Sequence, residues 1–212
     1  MAGLREKQKA TRTQRILDVA FHLFRTVGYE AARIEDIAVG AELSVGTFYN
    51  YFQSKADVLL AMVTLEVEGV LASGERSLRQ KHKNVAAALD HLIGGYYANT
   101  FVYTTKEMWR VAMAQVTVNA GTLFSRRYTE LDRRLIQQVC ACLQGLQQKG
   151  MIIADLDTDA TGEMVFNNLN MMFIECVRSD TMTTEELRNL VARQNAPLAK
   201  LISATQLISA AP

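Results

Sequence analysis

Only two of the 212 residues are proline and one of them is the last, so Pro197 is the single internal position where residue type blocks helix propagation. The chain is therefore expected to be all-α. With 49% apolar and 21% charged residues it has the composition of a globular protein that can bury a core. No stretch approaches the roughly 18 uninterrupted apolar residues that cross a bilayer. The apolar positions that follow the basic N-terminus are periodic, unlike a signal peptide. Three cysteines, an odd number, make no disulfide framework. A cytoplasmic setting without a membrane partner is expected.

Helical spacing of apolar residues starts at Ile16 and continues through Ala20, Leu23 and Val27, with Gly28 suited to a left-handed C-terminal cap. "RIEDIAVGAEL" reads as a second, short helix, followed by a tight break near Glu42. Ser44 is a good N-cap for a third helix. Ser54 with Asp57 forms a capping-box signal for a fourth, expected to run to about Arg79. Longer helices are expected over 85–104, 106–119, from Phe124 to a stop at Gly150, 158–178 and 183–207. Formal net charge is only +1, yet Arg5, Lys7, Lys9, Arg12 and Arg15 face Glu6 alone within the first fifteen residues. Such a basic arm is either a phosphate-binding feature or a solvated terminus.

The stretch "SVGTFYNYFQSK", residues 44–55, sharpens this. Wound as a helix capped by Ser44, it places Phe48 and Phe52 four apart on one face, where they can pack on the first two helices. The remaining face carries Val45, Gly46, Thr47, Tyr49 and Asn50, with Tyr51 at its edge, and no long charged side chain. That surface suits the second helix of a helix-turn-helix lying in a major groove. An aromatic-rich core helix would show a similar pattern.

The ordered set Ala20, Leu23, Phe24, Gly28, Tyr29, then Ile37 and Ala38, then Ser44, Gly46, Thr47, Tyr49, Phe52 and Lys55 resembles the DNA-binding region of the TetR (tetracycline-repressor) family of transcription regulators. The likeness covers about residues 12–63. It implies an all-helical homodimer. A helix-turn-helix domain, residues 1–55 with the arm at 1–15, would precede a ligand-binding and dimerisation domain, residues 56–212. Carried over residue by residue, it puts Val45, Gly46, Asn50 and Tyr51 nearest the bases of a double-stranded operator. Ser44 would cap the recognition helix, and Thr47, Tyr49 and Lys55 would clamp phosphates. Two positions depart from the family pattern. Arg33 stands where a capping Ser or Thr is usual, and is expected to reach a phosphate. Glu42 stands where a turn glycine is usual; left-handed, it costs on the order of 1–2 kcal/mol relative to Gly.

Beyond residue 63 the chain agrees with the family only in length and helical pattern. The resemblance implies a cavity there, and Tyr96, Tyr97, Phe101, Trp109, Met113, Phe124, Phe166 and Met172 are its candidate lining, although apolar stripes at helical spacing are usually plain core. A small, largely apolar or aromatic effector is expected. Val165, Leu169, Phe173 and Val177, with Leu187, Leu190, Val191, Leu198, Leu201 and Ile202, serve either a dimer seam or the monomer's own core. Enzyme chemistry finds little footing: no zinc motif surrounds His22, His82 or His91, and there is no Gly-rich phosphate loop or nucleophile elbow. No catalytic residue, metal or cofactor is expected. Cys140, Cys142 and Cys176 read as buried inert thiols, with a redox sensor as the alternative. The functional expectation is a ligand-responsive repressor released from a palindromic operator, with half-sites roughly 34–36 Å apart or a multiple of that. The alternative is an all-α small-molecule-binding protein or enzyme whose N-terminal bundle does not bind DNA.

Overall fold

A computed structural model describes residues 3–204. The first two residues of the basic arm, the side chain of Arg5 and the expected helical residues 205–207 lie outside the described set. Nine α-helices and no strand are found among the described residues: α1 Leu4–Val27, α2 Ile34–Gly40, α3 Val45–Phe48, α4 Lys55–Leu78, α5 Val85–Ala98, α6 Lys106–Val118, α7 Leu123–Gln148, α8 Thr158–Arg178 and α9 Thr184–Ile202. Among the same residues, no helix is long and apolar enough to cross a membrane.

Three boundaries differ from the sequence pattern. Helix α1 begins at Leu4, so the basic arm from there on is helix; the Glu6 carboxylate accepts from Gly3 N at 3.0 Å and sits in the first turn, where the dipole favours an anion. Helix α5 stops at Ala98, short of 104, because Asn99 Nδ2 and Thr100 Oγ1 satisfy the Gly95 and Tyr96 carbonyls at 2.8 and 3.0 Å. Phe101 then turns the chain with φ +64. Helix α3 spans only Val45–Phe48, so the stretch 44–55 is not wound as one helix and residues 49–51 form a turn, while α9 runs through Pro197 to Ile202.

The chain folds into two compact units, residues up to Glu66 with Phe101–Tyr128, and Val67–Thr100 with the residues from Thr129 on. In the first unit, Ile16, Ala20 and Phe24 of α1, Ile37 and Ala38 of α2 and Phe48 of α3 are all buried, joined by Met62 of α4 and Met108 of α6. Gly28 ends α1 at φ +85 and ψ 158, a backbone region open essentially to glycine alone rather than the left-handed helical one. Glu107, in the first turn of α6, fixes the turn that follows by accepting from Tyr29 N at 3.0 Å.

The deepest polar group of the first unit is Glu66, 1% exposed on α4. Its Oε1 accepts from Trp109 Nε1 at 2.9 Å and Thr104 Oγ1 at 2.7 Å, and its Oε2 from Tyr103 N at 3.0 Å. One carboxylate thus ties the loop before α6, and α6 itself, to α4.

In the second unit Val165, Leu169 and Val177 of α8 and Leu187, Val191 and Ile202 of α9 are buried within the chain. Of the alternatives left open for these residues, that is the monomer core. Apolar side chains left exposed on these helices are Met164 (67%), Met171 (49%) and Leu201 (73%). Tyr96 OH donates to Gln138 Oε1 at 2.7 Å, and Gln138 Nε2 donates to the Leu71 carbonyl at 2.9 Å, joining α5, α7 and α4. Tyr97 OH donates to the Leu169 carbonyl of α8 at 3.1 Å.

Asp132 on α7 is half-buried, and burial pushes its carboxyl up to about 6. The folded state therefore holds this proton more tightly than the unfolded one. Stability is fully present below the ordinary value of 3.8 and falls as pH rises through about 6. Asp132→Asn should raise stability at pH 7 by about 2–3 kcal/mol and flatten the pH 4–6 limb of the stability curve, read by urea unfolding. An unchanged limb in the variant would assign that slope to other groups.

Candidate nucleic-acid interface

The turn between α2 and α3 is built by a Schellman arrangement. Leu43 N bonds to Ala38 O at 2.9 Å and Glu42 N to Val39 O at 3.0 Å, with Glu42 at φ +57. Glycine would take this conformation without strain. Here Glu42 bears it, and its carboxylate pairs with Arg15 of α1, so the turn is tied to the first helix and its charge is compensated.

Ser44 caps α3, its Oγ accepting from Thr47 N at 3.1 Å and sharing a 2.8 Å hydrogen bond with Thr47 Oγ1. Phe48 is fully buried and Phe52 is 9% exposed, their rings 6.1 Å apart, so the inward face is the expected one. Tyr49 (42%), Gly46 and Asn50 are exposed, and Val45, Thr47 and Tyr51 are half-exposed. A methyl group added at Gly46 would meet no atom within 4 Å, so nothing inside the protein demands glycine there.

Gln8, Lys9 and Arg12 of α1, Thr47 of α3, and Asn50 and Tyr51 of the turn after it line one open groove of about 340 Å³. The α1 residues recur at helical spacing on one side of α1, and Lys9 and Arg12 are exposed. The basic run is legible in the sequence, but the placement of these residues beside the recognition helix is not. Their i, i+3 and i+4 spacing was the available signal, and it becomes informative once α1 is known to begin at Leu4.

Two expected contacts have other partners. Lys55 Nζ donates to the carbonyls of Tyr29 (2.6 Å), Glu30 (2.9 Å) and Ala32 (3.2 Å), and lies 4.5 Å from the Tyr29 ring centroid. All three ammonium protons have acceptors within the domain, which makes Lys55 a clasp on the turn between α1 and α2. Arg33 stands at the N-cap of α2 without a side-chain cap bond, and its exposed guanidinium is 3.5 Å from Glu35 Oε2.

The eight residues named for a ligand divide between the units. Phe101, Trp109, Met113 and Phe124 belong to the first, and Tyr96, Tyr97, Phe166 and Met172 to the second. Tyr96, Tyr97 and Trp109 use their polar atoms in the internal hydrogen bonds given above, and burial drives both tyrosine hydroxyls upward. Cys140, Cys142 and Cys176 are buried and form no disulfide among the described residues, and burial raises the Cys140 thiol and pushes the Cys142 thiol up to about 11. Buried, protonated thiols fit the inert reading.

Residues 16–62 match the family model described as "Bacterial regulatory proteins, tetR family". Residues 16–62 thus form a DNA-binding region of the TetR-family kind. The repressor KstR of Rhodococcus jostii is 38% identical over 64 residues, and the match spans 30% of each protein's length. The fatty acid metabolism regulator protein of Bacillus subtilis is 24% identical over 203 residues, 93% of this chain and 97% of that one. The TetR-family repressor FadR of Thermus thermophilus, solved in complex with lauroyl-CoA, shares the fold with a TM-score of 0.65 at 22% identity, over 89% of this chain and 93% of that chain.

Proposed function

We propose that this protein is a repressor that binds a palindromic DNA operator as a homodimer and leaves it when a small, largely apolar molecule binds among its C-terminal helices. The observation that carries the DNA-binding half is the groove in which Lys9 and Arg12 of α1 face Thr47 of α3 and Asn50 and Tyr51 of the turn after it. Cations beside a short polar helix match a duplex, where phosphates position the protein and base edges specify it. The buried Phe48–Phe52 face and the Ser44 cap hold that helix rigidly. The TetR-family match of residues 16–62 supports the same reading.

For the effector, a molecule with a long apolar chain is favoured, a fatty acyl thioester being the first to try. Support comes from two relatives, the Bacillus fatty acid regulator and the lauroyl-CoA complex of the Thermus repressor. To release DNA, the effector must prefer the non-binding state by a few kcal/mol. The homodimer is assigned to the outward sides of α8 and α9, where Met164 and Met171, seven residues apart on one helix face, remain exposed together with Leu201.

The test is selection of random duplex DNA by the purified protein, followed by titration with acyl-CoA. An enriched palindrome that lauroyl-CoA displaces is the expected result; recovery of no motif would sink the repressor reading. On the selected operator, Lys9→Ala with Arg12→Ala should weaken binding to all sequences and reduce the salt slope by about 2. Asn50→Ala should cost about 1–3 kcal/mol and relax preference at one base pair. Equal losses at every position for Asn50→Ala would move base recognition elsewhere.

A further inference from the structure

Stability does not explain why residue 42 is a glutamate. It holds a left-handed backbone, φ +57, that strains a residue with a Cβ and that glycine takes freely. The ion pair it gains with Arg15 lies on the surface, the two side chains being 45% (Arg15) and 73% (Glu42) exposed. Exposed pairs of this kind add little to stability. What the pair does change is the charge pattern around the recognition helix.

Arg15 continues the cationic side of α1. It follows Gln8 by seven residues, two helical turns, and Arg12 by three, so it shares the side of α1 that Gln8, Lys9 and Arg12 present to the groove beside α3. At its other end the pair reaches the recognition helix, because Glu42 stands two residues before Ser44, the N-cap of α3. A carboxylate and a phosphate offer a guanidinium the same kind of anionic acceptor. Glu42 therefore takes the place beside Arg15 that a DNA phosphate could take, and its own charge repels the DNA backbone.

We infer that Glu42 is an internal phosphate mimic, which withholds Arg15 from DNA and so limits the sequence-independent part of the protein's affinity for duplex. This rests on the binding of DNA by α1 and α3 proposed above. Counterion release gives each phosphate contact a salt slope of about 0.9, so one withheld contact weakens binding at 0.1 M salt by about eightfold, relative to 1 M salt where it contributes nothing. A looser grip on the backbone leaves a larger share of binding to the base contacts of α3 and its turn. It also leaves the effector less binding energy to overcome when it releases DNA.

The test is fluorescence anisotropy of a labelled duplex of arbitrary sequence, titrated with full-length protein between about 50 and 200 mM salt. Glu42→Gln keeps the outline of the side chain and removes its charge. It should bind about eightfold more tightly at 0.1 M salt, with a salt slope steeper by about 0.9. Adding Arg15→Gln to Glu42→Gln should return the slope to the parent value. Asp18→Asn is the control for net charge, since its exposed carboxylate on α1 bonds Gln14 at 2.8 Å, and it should leave the slope unchanged. Equal slopes for Glu42→Gln and the parent, or an equal steepening in Asp18→Asn, would overturn the proposal. A steeper slope that persists without Arg15 would overturn the withheld cation and leave repulsion by Glu42 alone. A constant unfolded fraction scales the affinity but not the slope, so lost stability cannot imitate these results. A parent that binds duplex keeps the repressor reading through each of these failures, whereas a parent that binds none at about 50 mM salt would sink both.

Discussion

Glu66→Gln, a change of one atom in outline, is expected to lower the stability of the full-length protein by about 3–5 kcal/mol. Both carboxylate oxygens accept hydrogen bonds: Oε1 from Trp109 Nε1 and Thr104 Oγ1, Oε2 from Tyr103 N. Glutamine offers one acceptor oxygen and one NH₂ group. With the oxygen at the Oε1 position, the NH₂ faces the Tyr103 N–H, donor against donor. Flipped, it faces the indole N–H and the threonine hydroxyl. Either way at least one donor loses its acceptor, and an unsatisfied buried polar group costs about 1–3 kcal/mol, more where the lost partner was charged. At roughly 2–4 °C per kcal/mol for a chain of this size, the melting temperature should fall by about 10 °C. Trp109 is the only tryptophan, so its fluorescence reports the site directly. A melting temperature within about 2 °C of the parent would show that the carboxylate does not hold the loop and α6 to α4.

That prediction rests on a residue the sequence did not single out, and the reason is physical. Glu66 lies on a helix whose periodicity reads correctly, and a glutamate there is usually solvated; only the fold, by bringing Thr104 and Trp109 over it, makes it the centre of a polar cluster. Lys55 taught the converse. Its place after the recognition helix suggested a phosphate, but the turn at Tyr29–Ala32 presents three carbonyls to it. By contrast, features set by local chemistry were legible in advance: the Ser44 cap, the stop at Gly150, and the inward pair Phe48 and Phe52. The start of α1 was missed because its first three turns carry no apolar stripe, only charge and the absence of any breaker. The groove beside α3 followed from that extension, so it too was hidden until the fold was seen.

Gly74→Ala should destabilise the protein by about 3–5 kcal/mol, against the usual sign for this substitution. In a helix interior, alanine normally exceeds glycine by roughly 0.5–1 kcal/mol, and Gly74 lies within α4. Here, however, the new methyl carbon would stand 1.8 Å from Gln138 Oε1, 2.4 Å from its Cδ and 2.8 Å from Tyr96 Cε1. Gln138 must leave its position, which strands the Tyr96 hydroxyl and frees the Leu71 carbonyl of its second donor. Overpacking costs about 1–3 kcal/mol and a stranded buried hydroxyl about as much again. Gln138→Ala alone removes the same hydrogen bonds and must destabilise, yet added to Gly74→Ala it removes the clash. The double variant should therefore be more stable than Gly74→Ala by about 1–2 kcal/mol, a reversal of sign that only residues in direct contact produce. Additive losses in urea unfolding would mean that α4 and α7 can move apart to admit the methyl group. In that case Gly74 would not be what sets the spacing of α4 and α7 in the second unit.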